Sequence, residues 1–97
     1  MKRRVDDIGF GGLKLVQDED AFCYGTDAVL LANMACTELQ ITEDMRICDL
    51  GTNTAVIPLI MSARCKAKEI VGVEVQEQAF ELAKENLVLN SLTDRLK

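Results

Sequence analysis

The chain has 97 residues, 48% of them hydrophobic and 28% charged, with a net charge of -5 and no histidine. A chain of this length makes one small domain that buries only about 60–65% of its unfolded surface, so it folds with little stability in reserve. The composition excludes collagen-like and disordered classes, and the longest apolar runs, AVLLANMAC and AVIPLIMSA, reach about half of the roughly 20 residues that cross a bilayer.

The opening MKRRVDDIGF puts two aspartates where a secretory signal needs an apolar stretch, so the cytoplasm is the expected compartment. Cys23, Cys36, Cys48 and Cys65 are widely spaced with no C-x-x-C pair, and without histidine a Cys/His zinc site is excluded. Four reduced, mostly buried thiols are expected, and no metal. The absence of histidine also removes the usual base of a catalytic triad. The acidic balance does not favour holding phosphates, although Lys2, Arg3 and Arg4 form one basic group and Arg64, Lys66 and Lys68 another. Either group can touch a polyanion, and solvated surface charge is the plain alternative.

In chain order, IGFGGLKL places Ile8, Phe10, Leu13 and Leu15 around Gly11-Gly12, which predicts a hairpin with a two-residue turn and one apolar face. YGTDAVLLANMA predicts an amphipathic helix capped by Thr26 or Asp27 and ending near Cys36. TELQITED is a polar connection. From Arg46 the pattern becomes strand (RICDL), helix (TAVIPLIMSARC), strand (EIVGVEV) and helix (EQAFELAKENLVLN), with Ala79, Leu82, Ala83 and Leu87 on one face of the last and Phe80 beside it. Two strands joined through a helix are parallel with a right-handed crossover, so residues 46–90 read as a βαβα unit of a doubly wound α/β sheet. A single domain is expected, with residues 1–45 forming the hairpin and helix and residues 46–97 the cofactor unit.

The chemistry of such a unit lies in its first βα turn, where unpaired N–H groups at the helix start face the ligand. Gly51 lets the backbone approach closely, and Asp49 before it can orient the loop or accept from a cationic group. Glu74, at the end of the second strand, stands where an acid can accept from two ribose hydroxyls. A dinucleotide calls for G-x-G-x-x-G, whereas this turn reads G-T-N-T-A-V. S-adenosylmethionine, which has no pyrophosphate, suits the looser turn better. A purely structural turn, with Glu74 only starting a helix, is the other reading.

Taken together, DDIGFGGLKLVQ, FCYGTDAVLLANMA, ICDLGTNTAVIPLI and KEIVGVEVQEQAFELAKENLVLNSLTDRLK resemble the opening half of class I S-adenosylmethionine-dependent methyltransferases. Among these the resemblance is to the bacterial tRNA1(Val) adenine-N(6) methyltransferases, and it covers essentially the whole chain. It implies a partial Rossmann-like class I methyltransferase fold, S-adenosylmethionine as cofactor and tRNA as partner. It further implies that Asp49, Gly51, Thr52, Asn53 and Thr54 line the methionine end of the cofactor, that Glu74 holds the ribose, and that Tyr24 to Asp27 lie near the methionine moiety. For Tyr24 and Thr26, a packed aromatic and a helix cap are equally good readings.

Members of that family usually show D-L-G-T-G-x-G, and here Asn53 and Ala55 occupy the two later glycine positions. Asparagine reaches positive φ more readily than most residues, and one added methyl is tolerable at Ala55, so weakened cofactor binding is expected. The family's adenine pocket uses an Asn-Pro-Pro-aromatic loop, and the one proline of this chain is Pro58, already assigned to a helix. The chain is therefore expected to be a truncated methyltransferase domain with no catalytic residue of its own. A two-strand sheet with an open apolar edge also invites pairing with another chain or a second copy. A non-catalytic βα interaction module is the alternative reading.

Overall fold

The computed structural model describes residues 2–9, 11–21 and 23–97. An antiparallel hairpin comes first, β1 (Arg3–Asp7) with β2 (Lys14–Asp18), followed by α1 (Thr26–Glu38). Then β3 (Arg46–Leu50), α2 (Val56–Arg64), β4 (Glu69–Val73) and α3 (Glu77–Leu89) form the expected βαβα unit, with β3 and β4 parallel and Arg46 opposite Glu69. The mixed α/β architecture read from the sequence is the one observed.

The hairpin differs in register from the expected two-residue turn. Ile8 N–H donates to the Leu13 carbonyl at 3.2 Å, which puts Gly9, Gly11 and Gly12 in the connection. Gly9, Gly11 and Gly12 all have positive φ, so the loop closes where glycine tolerates that backbone rather than at the shortest turn. Ile8 and Leu15 are buried and Leu13 packs against the core, whereas Phe10 lies outside the described residues. The cap of α1 also differs. Its N-cap is Gly25, neither Thr26 nor Asp27 makes a capping bond, and the helix runs on to Glu38 past Cys36.

Alternation along β3 and β4 sends Ile47 and Ile70 into the core beneath α2, where Leu59 and Ile60 are fully buried. Each such aliphatic side chain contributes about 1.5–3 kcal/mol on burial. Pro58 sits in the first turn of α2, where its missing N–H would find no intrahelical partner in any case. The C-terminal end of that helix is held by Arg95, whose guanidinium donates to the carbonyls of Ser62, Cys65 and Ala67.

The last residues do more than leave α3. Leu96 is 1% exposed and forms a parallel bridge with Ile70. Ile70 N–H donates to Arg95 O and Lys97 N–H to Ile70 O, so the chain begins a third row on the outer side of β4. β3 has β4 on one side and no strand on the other among the described residues. On the sheet face turned away from the helices, Leu50 and Val73 are 79% and 43% exposed.

The hairpin docks on α3 through two asparagines one helical turn apart. Asn86 Oδ1 accepts from Val16 N–H while its Nδ2 donates to Val16 O, and Asn90 treats the N–H and C=O of Lys14 in the same way. Two amide side chains thus pair the edge of β2 that β1 leaves open. Arg3 adds an ion pair to Glu85 from the exposed side.

Candidate cofactor site

The turn between β3 and α2 carries three left-handed residues at alternate positions, with φ 73° at Gly51, 54° at Asn53 and 72° at Ala55. Each non-glycine residue held there costs about 1–2 kcal/mol, less for asparagine. The turn is seated on β4: Gly51 and Thr52 N–H both donate to Val73 O, at 2.8 and 3.0 Å. Gly72 permits this seating, because a Cβ there would lie 2.7 Å from the Thr52 side chain.

Glu74 is joined to the same turn. Its Oε1 accepts from Asn53 N–H at 2.7 Å and its Oε2 from Gln76 N–H at 3.0 Å. The carboxylate is thereby fixed at the end of β4, half-buried, with lone pairs left for a further donor on each oxygen. A cleft of about 200 Å³ lies on the α1 side of the turn, walled by Gly51, Thr52 and Asn53 and by Tyr24, Gly25 and Asp27. The resemblance thus groups residues that the fold does bring together across 24 positions of chain.

Other expected residues stand elsewhere. The Thr54 side chain lines a separate cavity behind the turn with Asp18 and Gln78, and its carbonyl accepts from Asn86 Nδ2 at 2.9 Å. Ala55 is 3% exposed and lines a third, apolar cavity with Pro58, Ile70 and Phe80, and it is not among the residues lining the cleft. The substitution at that glycine position therefore strains the backbone without obstructing the ligand side.

Asp49 lies half-buried beneath the turn, and its Oδ2 has no hydrogen-bond partner. Burial pushes its pKa up, and the nearby Thr52 side chain offsets this only in part. Thr52 Oγ1 and Thr54 Oγ1 are likewise buried without a good hydrogen bond. A desolvated carboxylate with an idle oxygen suits a cationic group, but Asp49 is not among the residues that line the cleft.

The raised pKa gives a testable sign. The contribution of protonated Asp49 to stability is fully present below its unfolded pKa and is lost as pH rises through the higher folded value. Asp49→Asn is expected to be more stable than the native chain at about pH 7, with the gap closing as pH falls into the carboxylate range. Urea midpoints at the two pH values check this, and equal stability at neutral pH would contradict it.

Among the described residues no group of three or more Cys, Asp or Glu is arranged to hold a metal ion. The four thiols are free, but none is fully buried as expected, and Cys48 is exposed on the open side of the sheet. The hairpin's cations are engaged, Lys2 with Glu19, Arg3 with Glu85 and Arg4 with Asp6, whereas Arg64, Lys66 and Lys68 are exposed. No helix among the described residues is long and apolar enough to cross a membrane.

A parallel βαβ unit with a seated glycine turn and an acid at the end of its second strand is the architecture of class I methyltransferases. Solved structures superpose on nearly the whole chain. TYW2 of Pyrococcus horikoshii, solved in complex with MeSAdo, matches with a TM-score of 0.77 at 19% identity, over 98% of this chain and 34% of that one. The SAM-dependent methyltransferase from Agrobacterium tumefaciens matches with a TM-score of 0.72 at 17% identity, over 100% and 31%.

In sequence, residues 21–97 match the family model described as ribosomal protein L11 methyltransferase (PrmA), and the chain belongs to that family. It is 34% identical over 87 residues to the tRNA1(Val) (adenine(37)-N6)-methyltransferase of Flavobacterium johnsoniae, covering 90% of this chain and 36% of the relative. It is 29% identical over 92 residues to the release factor glutamine methyltransferase of Deinococcus radiodurans, covering 95% and 33%. The chain spans about a third of the length of the curated relatives it matches.

Proposed function

We propose that these 97 residues are the S-adenosylmethionine-binding part of a cytoplasmic RNA methyltransferase acting on an adenine N6 of a tRNA. The observation that supports the cofactor assignment is the bond from Asn53 N–H to Glu74 Oε1, which holds an acid at the end of β4 beside the glycine turn. When bound, the cofactor supplies an electrophilic methyl group on sulfur. Glu74 accepts from the ribose hydroxyls, the backbone of Gly51 to Asn53 lines the adjoining segment, and the carboxylates of Asp49 and Asp27 favour the positive charge of the methionine end. Thr54 supports the turn from behind.

The tRNA assignment follows similarity to the tRNA1(Val) enzymes. An adenine amino group must be held in line with the methyl by stacking and by acceptors for its hydrogens. The single proline of these residues lies in α2, so no Asn-Pro-Pro-aromatic loop is among them. Residues 1–97 alone are expected to bind cofactor and not to transfer the methyl group.

Calorimetry with S-adenosylhomocysteine, followed by a methylation assay on a valine tRNA transcript, tests both halves. Heat of binding without methylation is the expected result, whereas methylation by this polypeptide would contradict the division of labour. A second reading, a non-catalytic module that pairs with another chain or a second copy, is favoured by the exposure of Leu50 and of Val75, which is 92% exposed. No heat at millimolar cofactor would favour that module.

A further inference from the structure

Two of the three left-handed residues in the turn, Asn53 and Ala55, are not glycine, so their conformation has to be imposed from outside. Several contacts share in this: Ala55 N–H donates to Thr52 O at 3.0 Å, and its carbonyl accepts from Leu59 N–H at 3.1 Å. Asn53 N–H is taken by Glu74. Between the two strained residues, the Thr54 carbonyl is taken by Asn86, and Pro58, four residues on in α2, has no N–H to offer it.

Asn86 is 0% exposed on α3, and both of its amide protons and its oxygen are committed to backbone groups of Val16 and Thr54. The orientation of the amide is fixed by these partners, since reversing it would set donor against donor at Val16 N–H and acceptor against acceptor at the two carbonyls. One side chain therefore ties the hairpin, α3 and the centre of the turn together.

We propose that Asn86 is a positioning residue for the cofactor turn, a side-chain clamp that keeps Asn53 and Ala55 left-handed where glycines would adopt that backbone unaided. The effect on ligand affinity rests on the S-adenosylmethionine reading above; the conformational effect does not. Removing the clamp lets the turn relax, and rebuilding the left-handed backbone then weakens ligand binding by about tenfold. With Asn53→Gly and Ala55→Gly in place there is no strain to resist, and loss of Asn86 has little effect on affinity.

The test uses the full chain with Asn86→Ser, in the native background and in the double-glycine background. Two signals are read: the strong intraresidue amide-to-Hα NMR contact that marks positive φ at positions 53 and 55, and calorimetric affinity for S-adenosylhomocysteine per folded molecule. Both are expected to be lost or weakened by Asn86→Ser in the native background. In the glycine background, affinity is expected to stay within about twofold.

Unchanged left-handed signals and unchanged affinity in the native background would overturn the proposal and leave Asn86 as a packing hydrogen bond only. If the native chain binds no S-adenosylhomocysteine, the cofactor reading fails while the NMR signal still decides the clamp. Should the serine variant not fold in buffer, Asn86→Thr in a stabilising osmolyte is read by the same signals.

Discussion

Glu74→Ala is expected to weaken S-adenosylhomocysteine binding by about a hundredfold. Two effects combine. The ribose loses a charged acceptor, and Asn53 N–H loses the 2.7 Å bond that seats the turn against β4. Hydrogen bonds to a charged group contribute about 1.5–3 kcal/mol each, and 1.4 kcal/mol is a factor of ten. Glu74→Gln keeps an acceptor for Asn53 while losing the charge, so an intermediate loss of about tenfold is expected. Calorimetry on the three chains orders them, and an alanine variant that binds as well as the native chain would remove Glu74 from the site.

The largest effect on stability is expected from Arg95→Ala, which lies far from the cleft in sequence and function. Its guanidinium satisfies three carbonyls at and just beyond the C-terminal end of α2, where helix carbonyls otherwise lack partners. It also anchors the segment that brings Leu96 against Ile70. Loss of these charged hydrogen bonds is expected to cost about 3 kcal/mol. That lowers the melting temperature of a domain this small by on the order of 15 °C. Arg95→Lys is expected to recover less than half of the loss, because a single ammonium cannot match the planar fork on three acceptors. Thermal melts followed by circular dichroism decide this, and a drop of only about 2 °C for the alanine variant would contradict it.

The parts of the fold legible in the sequence were those fixed by local pattern. RICDL is β3 to the residue, because a short apolar run meets a glycine that must turn left-handed. β4 and α3 likewise follow a β-branched run and an apolar face of helical period. The hairpin register was not legible, since three glycines within four residues permit several loop lengths and only packing of Ile8 and Leu15 selects one.

Of the candidate site, the sequence indicated positions but not their geometry. Asp27, Gly51, Thr52 and Asn53 meet at one cleft, with Glu74 bonded to its rim, while Thr54 turns to the opposite side of the backbone. The side to which the Ala55 methyl points depends on its left-handed φ, which an alanine does not announce. Asn86 and Asn90 were missed altogether. The available signal was two amides spaced four apart on a helix whose neighbouring positions are apolar, a pattern that calls for backbone partners in the core.

Asp49 has a buried, unpartnered oxygen and a pKa raised by burial, so its charged form is expected to cost stability at neutral pH.

The most direct test of cofactor binding is an amide NMR titration of the 97-residue chain with S-adenosylhomocysteine. Saturable shifts are expected at Gly51 to Asn53, at Glu74 and at Tyr24 to Asp27, with none of comparable size on the outer face of the hairpin. Absence of shifts at millimolar ligand, or equal response to a nicotinamide dinucleotide, would contradict the assignment.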